Sequence, residues 1–215
     1  MSRMKLYIGN KNYSSWSFRP WIGLRQAKID FEEVQLWFDF PAGNPEIKAL
    51  SPSGKLPLLE DGDLLIPESL AILDHVARKF PQSGLWPADP LWHSRAMAMA
   101  CEMAAGFHAL RGTCHMNIRR VPSKIEVADA VLSDVARIET LWARSLAESG
   151  GPFLCGDFSI ADAMFAPVVN RLDVYAFDVA DTTRGYMDRM KALAAWQEWE
   201  TASRAETAVI AEEEV

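Results

Sequence analysis

The sequence predicts a small mixed α/β domain of four strands in the order βαβ-ββα, followed by an all-helical domain. Three observations carry that expectation. In the first 80 residues, short apolar runs alternate with turn signals and with two helical stretches. Pro81 to Pro90, PQSGLWPADP, then brings three prolines and a glycine into ten residues, the composition of a linker. Beyond it, apolar residues recur at steps of three and four, the period of a helix face. The expected divisions are therefore residues 1–80, a linker at 81–90, and a helical domain at 91–215.

Taken in order, Met4 to Gly9 reads as a first strand and the stretch from Trp21 to Ala27 as a helix. Asp30 to Leu36 is a second strand, parallel to the first because a helix separates them. Pro41 to Pro52 is rich in Pro, Gly, Asn and Ser, with one helical turn expected near Glu46 to Leu50. Leu56 to Leu59 and Leu64 to Ile66 flank Asp61-Gly62, a strong hairpin signal, and make two antiparallel strands. Pro57 cannot donate to a ladder, so it belongs at an edge or a bend. Pro67-Glu68-Ser69 opens a helix with Leu70, Leu73, Val76 and Ala77 on one face.

In the second part, Trp92, Ala96, Met99, Met103, Phe107, Leu110 and Cys114 read as one long amphipathic stripe. Ile125, Ala128, Leu132, Val135, Ile138, Trp142 and Leu146 read as another, stopped at Gly150-Gly151-Pro152. Such stripes are core far more often than a cofactor site. Ser159 to Asp162 has the form of a capping box. Trp196 and Trp199 mark a last short helix, and Ala211 to Val215 reads as a frayed end.

The stretch NKNYSSWSFRPW, Asn10 to Trp21, carries the chemistry. It joins a strand to a helix, where the first backbone N–H groups have no partner within the helix and favour an anion. Ser14, Ser15 and Ser17 can add O–H donors to the same anion, such as a thiolate or a carboxylate. The plainer expectation for these serines is helix capping.

Composition narrows the field. The 215 residues are 49% apolar, ample for a core, and the net charge is −7. Met1 to Phe80 carry 10 Lys/Arg and 10 Asp/Glu, leaving 12 and 19 for the remainder. That balance disfavours a nucleic-acid or anionic-lipid surface. Cys101, Cys114 and Cys155 show no CxxC spacing, so reduced thiols in a cytoplasm are expected rather than disulfides or a zinc site. His75, His93, His108 and His115 make no HxxxH or HExxH pattern, and no metal is expected. No apolar run spans a bilayer, and no signal peptide is evident.

Four motifs in register then resemble the cytosolic glutathione transferases, nearest the zeta, maleylacetoacetate isomerase-like class. Ser14 to Arg19 is similar to the SSCSWR loop of that class. Gly54-Lys55-Leu56-Pro57 is similar to the family's V-P turn, Pro67 to Ile72 to its ESLAI helix start, and Phe158 to Asp162 to its helix-6 cap. The resemblance implies a thioredoxin-like N-terminal domain, glutathione as co-substrate with no metal, and a homodimer. It also implies a cis peptide bond before Pro57, with the Leu56 backbone pairing the cysteinyl part of glutathione. Glu68 and Ser69 would hold the γ-glutamyl end, with Lys55 and Trp16 beside the same peptide. Ser14 or Ser15 would donate to the sulfur, and the resemblance does not settle which.

A free thiol near 8.5 is mostly protonated at neutral pH, and only the thiolate is the nucleophile, so such a donor serves the chemistry directly. The electrophile pocket is expected from Phe107, His108, Arg111 and Met116. For Arg111, an ion pair is the alternative to contact with an acidic substrate. The loop departs from the zeta pattern at Trp16, which stands where that class has Cys. The leading expectation is transfer of the glutathione thiolate to a small, fairly apolar electrophile. The others are glutathione-dependent cis-trans isomerisation of an unsaturated diacid, and a non-catalytic ligand-binding protein of the same fold.

Overall fold

A computed structural model describes residues 3–38, 43–51 and 53–214. Its elements are β1 (Lys5–Ile8), α1 (Ser15–Gln26), β2 (Glu32–Gln35), α2 (Pro45–Leu50), β3 (Leu58–Asp61), β4 (Leu64–Pro67) and α3 (Ser69–Lys79). The helical part comprises α4 (Pro90–Ala105), α5 (His108–Thr113), α6 (Asp129–Ser149), α7 (Ile160–Val174), α8 (Asp181–Lys191) and α9 (Ala194–Ala205). Single 3-10 turns lie at Pro81–Ser83 and Ala211–Glu213. The sheet order is β2-β1-β3-β4, with β1 parallel to β2 and antiparallel to β3, and β3 antiparallel to β4. This is the thioredoxin-like arrangement, a mixed four-stranded sheet, followed by the all-helical part.

Local signals account for most of it. Gly62, at φ 65°, takes the left-handed position of the β3–β4 turn, which a side chain disfavours. Gly150, also at φ 65°, closes α6 in the same conformation. Asn44 caps α2 by accepting from Glu46 N at 2.8 Å, and that helix is longer than the single turn expected. Residues 41, 42 and 52 of the irregular segment lie outside the described residues. The Ser159–Asp162 capping box is formed, with the Asp162 carboxylate accepting from Ser159 N at 2.9 Å.

The core runs through both parts. From Ile160 to Leu172 every residue of α7 is buried, so this helix is apolar on nearly all sides and central to its domain. Helix α1 packs between α7 and α3, and Gly23 makes that approach possible: a Cβ there would lie 2.5 Å from Leu73 Cδ2. Trp142 stands edge-on to Phe165 and Tyr186 at 5.5 and 4.7 Å between ring centres. Phe18 of α1 stacks on Trp199 of α9 at 4.8 Å, which fastens the last helix to the N-terminal domain.

Three expectations need correction. The stripe from Trp92 to Cys114 is two helices. Gly106 is extended and Phe107 left-handed at φ 57°, which ends α4 and swings Phe107 inward to 6.2 Å from Phe165. The helix expected from Ile125 begins at Asp129, and Leu132 on its stripe is 49% exposed. The end expected to fray, Ala211 to Val215, is tied down through Glu214, the last described residue: Glu213 Oε2 pairs with His115 Nδ1 at 2.7 Å and the Glu214 carboxylate accepts from the Tyr13 hydroxyl. Just before it, the Glu206 carboxylate accepts from Lys11 N and Asn12 N at 2.6 and 2.9 Å.

Candidate active site

A cleft of about 410 Å³ lies between the two parts, lined on one side by Tyr13, Ser14, Ser15, Trp16 and Leu56. Helix α5 and the turn after it supply His108, Arg111, Gly112 and His115; Arg171 comes from α7, and Ile210 and Glu213 from the tail. The size suits a small molecule.

The floor is the start of α1. Ser14 is its N-cap residue, but no side chain caps this helix. The Ser14 hydroxyl donates instead to Ser17 Oγ at 2.7 Å, and Ser17 Oγ also accepts from Gly9 N at 3.1 Å. Capping is therefore not what the Ser14 hydroxyl does; Ser15 N donates to Tyr13 O at 2.8 Å, and the Trp16 and Ser17 amides are left to an outside partner. Ser15 is half-buried at the first helical position; among the described residues its hydroxyl has no partner.

Helix α3 begins in a similar way. Its N-cap residue, Glu68, holds φ 70°, a conformation unusual for a side chain longer than Asn, and again no side chain caps the helix. Ser69 Oγ donates to Trp16 O at 2.6 Å. The reason lies in α1, where Pro20 has no N–H to give the carbonyl four residues earlier, which is that of Trp16. The Ser69 hydroxyl fills the gap and ties the two helix starts together. The Leu56–Pro57 bond is cis, and Leu56 is buried against the cleft.

Cations gather around Trp16. Arg19 of α1, behind the floor and not itself lining the cleft, and Arg111 on the far wall place Cζ 4.0 and 4.7 Å from the Trp16 ring centre. Arg19 is fully buried; its Nε donates to Met164 O at 2.9 Å, while Nη1 and Nη2 have no partner. Arg171 is also buried; its Nε donates to Cys114 O at 2.8 Å and its Nη1 is unpartnered. Arg111 Nη1 caps the carbonyl end of α4, at Ala104 O (3.2 Å) and Gly106 O (2.9 Å). The ion pair expected as one alternative for Arg111 is not formed, and among the described residues none of the three arginines has a carboxylate within ion-pair distance.

Burial, and after it the charges of Arg171 and Arg111, weaken the Arg19 proton's hold. Burial and then Arg111 lower Arg171 to about 10, against an opposing pull from Glu213. Such a site, rich in positive charge and poor in partners, favours an anion.

Glu213 closes the mouth through an ion pair with His115, Nδ1 to Oε2 at 2.7 Å. Its hydrogen bond to Glu213 is the main reason that the His115 pKa is raised, with burial opposing. A histidine whose folded pKa is raised contributes stability that is fully present below its unfolded value and is lost as pH rises through the folded value. Residues 206–214 are thus expected to exchange backbone hydrogens faster, relative to the core, as pH is raised above that range. Equal protection of this segment on either side of the transition would count against the latch.

The cleft brings together six of the residues selected from sequence: Ser14, Ser15, Trp16, Leu56, His108 and Arg111. Two are displaced from it. Phe107 and Met116 are buried in the core, the first because the left-handed residue turns it inward. Pro57 is buried behind Leu56, Ser69 and the exposed Glu68 adjoin through Trp16, and exposed Lys55 lines a separate hollow with Ile47 and Lys48. Sequence reasoning passed over Tyr13, Arg171, Ile210 and Glu213. Only Arg171 had a signal, as a charged residue inside an otherwise apolar helix. The cysteines stay outside the cleft, and burial holds Cys114 and Cys155 up at about 11 and 12, as thiols. Among the described residues no His, Cys, Asp and Glu cluster could hold a metal, and no helix is long and apolar enough to cross a membrane.

Fold and cleft together define a two-domain protein in which a thioredoxin-like domain offers bare helix starts and hydroxyls to a small-molecule site walled by a helical domain. Family models agree: glutathione S-transferase, N-terminal domain, matches residues 13–79, and glutathione S-transferase, C-terminal domain, matches residues 118–202. The chain belongs to the glutathione S-transferase family, and its relatives include maleylacetoacetate isomerases and a zeta-class glutathione S-transferase. It is 30% identical to a maleylacetoacetate isomerase of Pseudomonas aeruginosa over 122 residues, 54% of this chain and 56% of that protein. It is 24% identical to a probable maleylacetoacetate isomerase of Caenorhabditis elegans over 190 residues, 84% of this chain and 85% of that one. A glutathione transferase homologue from Burkholderia, crystallised with bound glutathione, superposes with a TM-score of 0.74 at 20% identity, over 95% of this chain and all of that one.

Proposed function

We propose that the cleft binds glutathione, holds it as the thiolate and directs it at a small electrophile that carries a carboxylate or similar anion. The observation that carries the reading is the uncapped start of α1 with the Ser14 and Ser15 hydroxyls beside it. Each pKa unit removed from the thiol is worth about 1.4 kcal/mol, and a helix start with a hydroxyl donor supplies about one to two units. Ser14 and Ser15 are the donors to sulfur. Leu56, Pro57, Glu68, Ser69, Lys55 and Trp16 hold the tripeptide, while His108, Arg111 and Arg171 face the electrophile.

The fairly apolar electrophile expected from sequence gives way to an acidic one because the two arginines that line the cleft, Arg111 and Arg171, lack carboxylate partners. The same feature favours a second reading, reversible addition of the thiolate to an unsaturated diacid, which isomerises it. Turnover of such a diacid without net loss of glutathione separates isomerisation from conjugation. Homodimer assembly in a cytoplasm belongs to the same reading, and sedimentation equilibrium checks the dimer.

Glutathione is expected to raise the melting temperature with concentration, since it binds the folded state. In the bound complex, Ser14→Ala and Ser15→Ala are expected to raise the pH of thiol ionisation, read from thiolate absorbance, by about one unit for the dominant donor. Glu68→Ala is expected to weaken binding instead. Serine variants that both titrate like the parent protein would sink the mechanism.

A further inference from the structure

We propose that Ser17, which does not line the cleft, is a positioning residue that turns the Ser14 hydroxyl toward the sulfur when a thiolate arrives. This rests on the glutathione reading above and adds a residue to it. Ser17 is fully buried at the third position of α1, and its Oγ accepts from Gly9 N at 3.1 Å and from Ser14 Oγ at 2.7 Å. A hydroxyl has one hydrogen to give and two lone pairs to fill. Both acceptor positions of Ser17 are therefore taken, while its own hydrogen has no acceptor among the described residues. The only oxygen bonded to it that can take that hydrogen is Ser14 Oγ.

An anion on the cleft floor resolves this. Ser14 rotates its O–H from Ser17 to the sulfur, and Ser17 rotates its O–H into the lone pair that Ser14 has turned toward it. The donors then run in one direction: Gly9 N–H to Ser17, Ser17 to Ser14, Ser14 to sulfur. Each bond in such a chain polarises the next and strengthens the last donor. No proton changes owner and no covalent bond breaks; two hydroxyl hydrogens turn, and the Ser17 side chain shifts slightly to aim at Ser14 Oγ, since without the anion only Ser14 is placed to donate. The local fold allows it because the Ser14 side chain meets the Ser17 side chain where a conventional N-cap would meet the Ser17 N–H. That amide is left to the anion.

The test titrates the thiolate absorbance of glutathione bound to the full-length protein and to Ser14→Ala, Ser17→Ala, the double variant and Ser17→Thr, with glutathione affinity measured alongside. Ser17→Ala is expected to raise the half-ionisation pH by about half a unit, a roughly threefold loss of thiolate at fixed pH below it. Added to Ser14→Ala it should do nothing further, and Ser17→Thr, which keeps the hydroxyl, should titrate like the parent. A merely structural Ser17 would lower affinity or melting temperature and leave the ionisation in place.

A shift with Ser14→Ala but none with Ser17→Ala overturns this proposal and leaves the glutathione reading intact. Additive shifts overturn it too. No shift with Ser14→Ala removes Ser14 as donor and the Ser17 role with it, whereas absence of glutathione binding to the parent protein removes the reading itself. If Ser17→Ala does not fold, Ser17→Cys, a weak donor, is expected to give the same upward shift, and an unchanged titration there overturns the proposal.

Discussion

Asp162→Ala is expected to lower the unfolding free energy by about 4 kcal/mol, a loss at the upper end of what single substitutions produce. The carboxylate accepts four hydrogen bonds in the core: Leu154 N at 3.0 Å, Ser159 N at 2.9 Å, Ser159 Oγ at 3.0 Å and Tyr186 OH at 3.0 Å. Alanine strands all four donors, and each costs about 1–3 kcal/mol when buried without a partner, less than additively because the site can relax. The group joins the start of α7 to the turn after α6 and to α8, so its loss loosens three elements at once. For a chain of this size the change corresponds to roughly 8–16 °C in melting temperature, measurable by calorimetry. A drop under about 2 °C would mean that water or neighbouring groups replace the carboxylate.

Arg171→Met is expected to act in the opposite sense on stability and function. The guanidinium is buried without a carboxylate partner, and burial with the nearby Arg111 charge holds its pKa down at about 10. Methionine fills similar space without a charge to desolvate, so the melting temperature is expected to stay level or rise by a few degrees, on the order of 1 kcal/mol. Turnover is expected to fall. Removing a buried cation from an anionic ligand costs about 2–5 kcal/mol, so kcat/KM for a carboxylate-bearing electrophile should drop about a hundredfold. Turnover of an uncharged electrophile such as chlorodinitrobenzene should change less than about threefold. Equal losses on both substrates would make Arg171 a general support of the fold and remove the case for an acidic substrate.

The parts legible in the sequence are those whose causes are local. The Asp61-Gly62 turn, the Gly150 stop and the Ser159–Asp162 cap each depend on residues a few positions apart, and each stands in the structure. The serine loop and its position between strand and helix were legible for the same reason. What the sequence hid depends on distant partners. Phe107 fits the period of α4, and only the turn at Gly106 sends it into the core. Arg171 stands out as a cation in a largely apolar helix, but its place on the cleft is fixed by how α7 packs against α1. The tail looked unstructured because Glu206 and Glu213 find their partners, at Lys11, Asn12 and His115, some 100 to 200 positions away in the chain.

Pro20 and Ser69 have a bearing on how the cleft adapts. One helix lacks a donor that the other returns, so separating them leaves the Trp16 carbonyl without any protein partner. The sulfur side of the cleft therefore moves as a single plate. Tolerance for electrophiles of different bulk falls to the opposite side, at the His115–Glu213 clasp, since Arg111 stacks on Trp16 and belongs with the plate.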